Sequence, residues 1–125
     1  MARIQPISEV RVAAVGSYLS TNSAQAAIET SSPSIQLVDV REPEELAIAQ
    51  IEGFLNLPLS QFSAWSGQVQ AHLDPEVETW VLCHHGIRSA QMCQWLMQQG
   101  FQNVKNILGG IDAYSLEVDP TVPRY

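Results

Sequence analysis

Positive charge is what this chain lacks most: six Lys and Arg stand against thirteen Asp and Glu, a formal net charge of -7. A field of that sign repels phosphate backbones and anionic bilayer surfaces, which argues against nucleic acid and membrane as partners. It also opposes small anionic substrates, so any anion site has to be made locally, from backbone N–H groups and a nearby Arg. Cysteine is scarce as well. Two residues, Cys83 and Cys93, exclude a disulfide framework and fit a reducing compartment, the cytoplasm, better than a stapled secreted fold. No run of about 18 apolar residues exists to span a bilayer. The stretch Val12 to Leu19 followed by Ala24-Gln25-Ala26 has some likeness to a secretory signal, but Glu9, Arg11 and Gly16 break its charge pattern and its apolar run. Repeats and low-complexity tracts are missing too. What remains is 125 residues, 46% hydrophobic and 15% charged, enough to close one core, so a single domain over residues 1–125 is expected.

The chain alternates β-rich runs with helical periodicity. Ser8 is placed to cap a helix from Glu9 to about Ser20, and Thr21 to Ser34 reads as a loop with a short helix around Ala24 to Glu29. Ile35 to Val40 is nearly continuous in apolar residues, as in a strand covered on both faces. Pro43 opens a short helix over Glu44 to Ala49, with acids near its positive end. Phe54 to Leu59 makes a further strand, Ser60 leads a helical segment toward Ala64, and Ser66 to Glu78 reads as loose. Thr79 to Leu82 then delivers the chain to Cys83. From Arg88 to Gln99 the apolar residues follow helical spacing up to Gly100, and Asn103 to Leu108 forms a last strand after a crossover that favours parallel pairing. Gly109-Gly110 breaks that strand before a short helix over Ile111 to Leu116. The pattern predicts a three-layer α/β/α domain with a mostly parallel central sheet, whose ligands sit beyond the strand C-termini, where Cys83 falls.

A cysteine between a strand and a helix, followed by Gly86 and Arg88, is suited to anionic sulfur. Consecutive loop N–H groups, the positive end of the next helix, and charge from Arg88 or the imidazoles of His84 and His85 all favour thiolate over thiol. Gly86 permits the positive φ that a tight loop needs if its N–H groups are to point inward. The plainer alternative is an inert buried cysteine at a strand end. Cys93 shares the face of Ala90 and Leu96, which makes it core filler rather than a resolving thiol. A metal held by Cys83, His84 and His85 is disfavoured because adjacent residues rarely close a tetrahedral site, so no metal is expected. His72 reads as a surface residue, and Trp65, Trp80 and Trp95 as packing.

The loop Cys83-His84-His85-Gly86-Ile87-Arg88-Ser89 resembles the C-x-x-G-x-R-S active-site loop of rhodanese domains. Leu37-Val38-Asp39-Val40-Arg41-Glu42, Ile51 to Leu59 and Gly109 to Tyr114 are similar to further segments of that family, so that the resemblance covers about Ile35 to Tyr125 in the expected order. A phosphatase branch of the family separates Cys from Arg by five residues; the four found here leave room suited to one extra sulfur atom rather than a tetrahedral phosphate. Two departures stand out. Ala49-Gln50-Ile51 replaces the Gly-His-Ile of many members, and His84 and His85 stand where members carry Arg or Lys.

The resemblance implies a sulfurtransferase. Cys83 would take the outer sulfur of thiosulfate or a persulfide donor, hold it as a persulfide on N–H groups from His84 to Ser89, and pass it to a thiol or cyanide, with no cofactor. In that reading His84, His85, Gly86, Ile87, Arg88 and Ser89 bind substrate, with Arg88 alternatively bracing the loop through backbone carbonyls. Asp39 and Arg41 would form a buried ion pair supporting the site, or simply be solvated turn charges. Imidazole assistance to anion binding should fade above neutrality. Two other readings stay open: a sulfur-relay module that exchanges sulfur between proteins, to which the tail Val118 to Tyr125 adds a likeness to rhodanese domains fused to ubiquitin-like-activating enzymes, and an arsenate reductase-type activity.

Overall fold

Short Val-, Ile- and Leu-bearing runs, each closed by polar or glycine-containing segments, form the strands, and the longer 3.6-period stretches form the helices. The computed structural model describes residues 6–25 and 35–125. Its strands are β1 (Ser8–Val10), β2 (Ile35–Asp39), β3 (Leu55–Asn56), β4 (Glu78–Leu82) and β5 (Val104–Ile107). They pair in the order β1-β5-β4-β2-β3, every pair parallel. The helices are α1 (Val12–Gln25), α2 (Pro43–Ile48), α3 (Phe62–Trp65), α4 (Val69–His72), α5 (Ile87–Gln98) and α6 (Gly110–Glu117). None is long and apolar enough to cross a membrane among the described residues.

Strand β4 shows why the domain has three layers. Its side chains alternate with period two, Val81 and then Cys83 joining one core with α3, α4 and α5, while Trp80 and Leu82 join a second core with α1 and α6. A strand apolar on both faces has to lie inside the sheet, and β4 does, between β2 and β5. Chain order reverses direction beside it, the place beyond the strand C-termini at which sheets of this kind bind ligands.

The amino-terminal helix starts later than Ser8 suggests. Ser8–Val10 instead pairs with Lys105–Ile107 as the edge strand of the sheet, where Val10 is buried in the core, and that tertiary pairing overrides the local capping preference of Ser8. Helix α1 then runs through the first residues of the expected loop to Gln25; most of the short helix suggested around Ala24 to Glu29 lies outside the described residues. Strand β3 shrinks to two residues at the opposite edge. The expected loose region after Ser66 is in part helical, a 3₁₀ turn at Ser66–Gln68 leading into α4, since Trp65, Val69 and Leu73 bury at spacings of four.

Candidate active site

Cys83 is the first residue past β4, and its side chain is only 1% exposed. The chain then turns through His84, His85 and Gly86 into α5. Gly86 takes φ +101°, and in that conformation donates its N–H to Cys83 Sγ at 3.0 Å. The Ser89 hydroxyl lies 3.2 Å from the same sulfur. Sulfur thus sits at the amino end of a twelve-residue helix, where free N–H groups and the positive dipole favour negative charge.

The loop is held from below by two elements. Asn106 on β5 accepts from Ser89 Oγ and donates through Nδ2 to the Gly86 carbonyl at 2.9 Å. The amino end of α6 supports the other half: Ile111 N–H donates to the Cys83 carbonyl at 2.9 Å and Asp112 N–H to the His84 carbonyl at 3.2 Å. Gly110 makes this approach possible. A Cβ there would lie 2.4 to 2.6 Å from the Cys83 and His84 backbone, closer than atoms pack.

The charged side chains around this floor are paired. Asp39 and Arg41 form the buried ion pair the resemblance implies, at 2.7 Å and essentially without exposure. Burial works to lower the pKa of Arg41, but hydrogen bonds to Asp39 and Tyr125 together with the Asp39 charge raise it overall. Arg41 also donates to the Ala49 carbonyl at 2.9 Å, which ties β2 to the end of α2. Among the described residues, Arg88 hydrogen-bonds neither sulfur nor backbone carbonyls. Its guanidinium grips Glu45 of α2 bidentately, at 2.7 and 2.9 Å, and this contact chiefly holds the Glu45 carboxyl at about 2. The Tyr125 hydroxyl joins the two pairs, accepting from Arg41 at 3.0 Å and donating to Glu45 at 2.9 Å.

His84 lies beneath the Tyr125 ring, centroids 3.9 Å apart and planes nearly parallel, with His85 stacked on its other face at 3.8 Å. Burial, then the neighbouring His85 charge, lowers the His84 pKa below the ordinary imidazole value, so its positive charge fades at lower pH than the sequence alone suggests. His84, His85 and Asp112 bring their ligand atoms within 4.8 Å of one another. Asp112 is, however, engaged by Arg124 at 2.9 Å, so its carboxylate is already committed to a neighbouring cation. Ile87 faces solvent, 72% exposed. Cys93 is fully buried, and desolvation, with the Cys83 charge adding, pushes its thiol up to about 12.

Sequence reasoning missed Glu45, Asn106 and Tyr125 as parts of the site. Glu45 stood in the helix that Pro43 announces, where acids are explained by the dipole alone, and Asn106 is a polar residue inside a strand, a signal that asks for a buried partner. Tyr125 carries no local signal at all.

A family model described as Rhodanese-like domain matches residues 20–117. Rhodanese-like/PpiC domain-containing protein 12, chloroplastic, of Arabidopsis thaliana is 53% identical over 90 residues, 72% of this chain and 30% of that protein. Adenylyltransferase and sulfurtransferase MOCS3-2 of Zea mays is 37% identical over 92 residues, 71% of this chain and 19% of that protein. The chain spans less than a third of the length of these curated relatives. A crystal structure of a rhodanese-related protein from Thermoplasma volcanium, 27% identical, matches with a TM-score of 0.65 over 89% of this chain and 93% of its own.

Proposed function

The chain belongs to the rhodanese-like domain family, and from that membership we propose that it is a sulfurtransferase whose Cys83 carries the moving sulfur as a persulfide. The observation that carries this reading is the Gly86 N–H directed at Cys83 Sγ at the head of α5. Donors of this kind stabilise negative charge on sulfur without adding a fixed cation. The Cys83 thiolate attacks the outer sulfur of the donor. The donor S–S bond breaks, and its electron pair leaves with sulfite or with a thiolate. A Cys83 S–S bond forms, and the terminal sulfur takes the negative charge onto the loop. An acceptor thiolate then attacks that terminal sulfur and returns Cys83 as thiolate, so no external oxidant or reductant is consumed.

The pairing of Arg88 with Glu45 and of Arg41 with Asp39 favours persulfide donors, including those presented by a partner protein, over the thiosulfate dianion. A dianion gains more from an unpaired cation than does a persulfide, which brings a single charge. This arrangement supports the sulfur-relay reading over rapid turnover of small anionic donors. Mass spectrometry of Cys83 after exposure to equal concentrations of a low-molecular-weight persulfide and of thiosulfate tests both levels. One added sulfur on Cys83, faster from the persulfide, is expected. No added sulfur from either donor would refute sulfur transfer, and faster loading from thiosulfate would refute the donor preference alone.

A further inference from the structure

The hydrogen bonds around the sulfur pass through one side chain outside the loop. Asn106 is 95% buried on β5, in register with Val81 of β4, and both ends of its carboxamide are used. Nδ2 donates to the Gly86 carbonyl at 2.9 Å, which fixes the orientation of the amide, because a carbonyl only accepts and a flipped Asn would set oxygen against oxygen. Oδ1 therefore faces Ser89 and can only accept. The single hydroxyl proton of Ser89 is committed to Asn106, and what Ser89 Oγ offers to Cys83 Sγ at 3.2 Å is a lone pair.

A lone pair suits a thiol and opposes an anion. A neutral Cys83 donates its S–H to Ser89 Oγ. A thiolate or a bound persulfide has no proton to give, so the Ser89 hydroxyl has to turn toward sulfur to serve it. That turn is favourable, since a hydrogen bond to an anion is stronger than one between neutral groups. It leaves Asn106 Oδ1 without its donor, in a place bulk water does not fill. The turn is thereby opposed by the loss of one neutral hydrogen bond, a three- to tenfold effect on order of magnitude.

We infer that Asn106 is a positioning residue of the sulfur site, holding the Ser89 hydroxyl proton while Cys83 is a thiol and releasing it when the sulfur becomes anionic. Asn106 and Ser89 thus form a two-position hydroxyl switch beneath the catalytic sulfur. The switch keeps the resting cysteine less reactive than its N–H-lined loop alone would make it, and delivers an extra donor when a persulfide is present. This deepens the sulfurtransferase reading, but its test reads the thiol directly and does not depend on any sulfur donor.

The experiment follows alkylation of Cys83 by iodoacetamide at neutral pH in the full chain, with the modified site located by mass spectrometry. Asn106→Ala frees the Ser89 hydroxyl for sulfur and is expected to speed alkylation roughly three- to tenfold. Ser89→Ala removes the donor and is expected to slow it. In the Ser89→Ala background, Asn106→Ala is expected to change the rate by less than about twofold, because Asn106 acts through Ser89. Ser89→Thr, which retains a hydroxyl, should restore the response to Asn106→Ala. A slower or unchanged rate in Asn106→Ala, or the same change with and without Ser89, overturns the inference in favour of a purely structural role through Gly86. If Asn106→Ala fails to fold, Asn106→Leu, which keeps the number and branching of side-chain heavy atoms, is read by the same criteria. Absence of sulfur loading from every donor, together with the expected alkylation pattern, would remove the sulfur-transfer reading and leave the switch in place.

Discussion

Cys83 and Cys93 lie ten residues apart, line the same core and are 1% and 0% exposed, yet their surroundings fit them for opposite chemistry. Cys93 sits in the middle of α5, where each backbone N–H is already taken by the helix, and desolvation is left unopposed; its thiol stays protonated, up at about 12. Cys83 precedes the same helix, where N–H groups have no partners within it. Gly86 N–H and the Ser89 hydroxyl stand at its sulfur, and α6 holds its carbonyl. Burial alone says little about a cysteine. What decides its chemistry is whether polar groups remain free to face the sulfur, and a helix leaves them free only at its start.

The largest effect is expected from Cys83→Ala, which should abolish sulfur loading and lower transfer by about a thousandfold or more, while Cys93→Ala keeps transfer within about twofold. Sulfur found on Cys93 in place of Cys83 would break the contrast. Next comes the floor of the loop. Gly110→Ala places a Cβ against the Cys83 and His84 backbone at a residue with φ +63°, and should cost about 2 to 4 kcal/mol in urea unfolding; a cost below about 0.5 kcal/mol would mean that α6 does not press on the loop.

The charge pairs give a smaller effect with a definite sign. Because Glu45 has its folded pKa lowered from 4.5 to about 2, its pairing with Arg88 stabilises the fold at pH above about 4.5, and that contribution is lost as pH falls toward about 2. Glu45→Gln should flatten the pH dependence of the melting temperature in that window, and an identical acid limb in wild type and variant would count against the pair. The smallest effect is expected from the stability of Cys93→Ala, about 1 kcal/mol, the usual consequence of trimming a small core side chain. If that variant were as stable as wild type, Cys93 would not be packing as core filler.

Much of this contrast is legible before any tertiary structure. The run Thr79 to Leu82, the glycine at 86 and the 3.6-period face after Arg88 already place one thiol at a strand-to-helix turn and the other on a buried helical stripe. The nearly continuous apolar run Ile35 to Val40 likewise predicts a strand covered on both faces, and β2 lies inside the sheet between β4 and β3. Ser8 was misleading because helix capping is a local preference, and Ser8–Val10 pairs instead ninety-seven residues away, with Lys105–Ile107. The place of Arg88 in the loop is visible in the sequence, whereas its partner Glu45, 43 residues earlier, is not.

By itself, then, the sequence determined the α/β alternation, the strand-to-helix loop that carries Cys83 and the buried helical place of Cys93, since each depends on periodicity, turn chemistry or spacing within a few residues. Only the tertiary structure decided that Arg88 is neutralised by Glu45, that Asn106 governs the Ser89 proton, that Gly110 brings α6 against the loop, and that Tyr125 stacks on His84. Those contacts join residues from 17 to 43 positions apart, and no local pattern records them. They exist because a parallel sheet carries the carboxyl ends of all its strands to one edge, where distant side chains meet around a single sulfur.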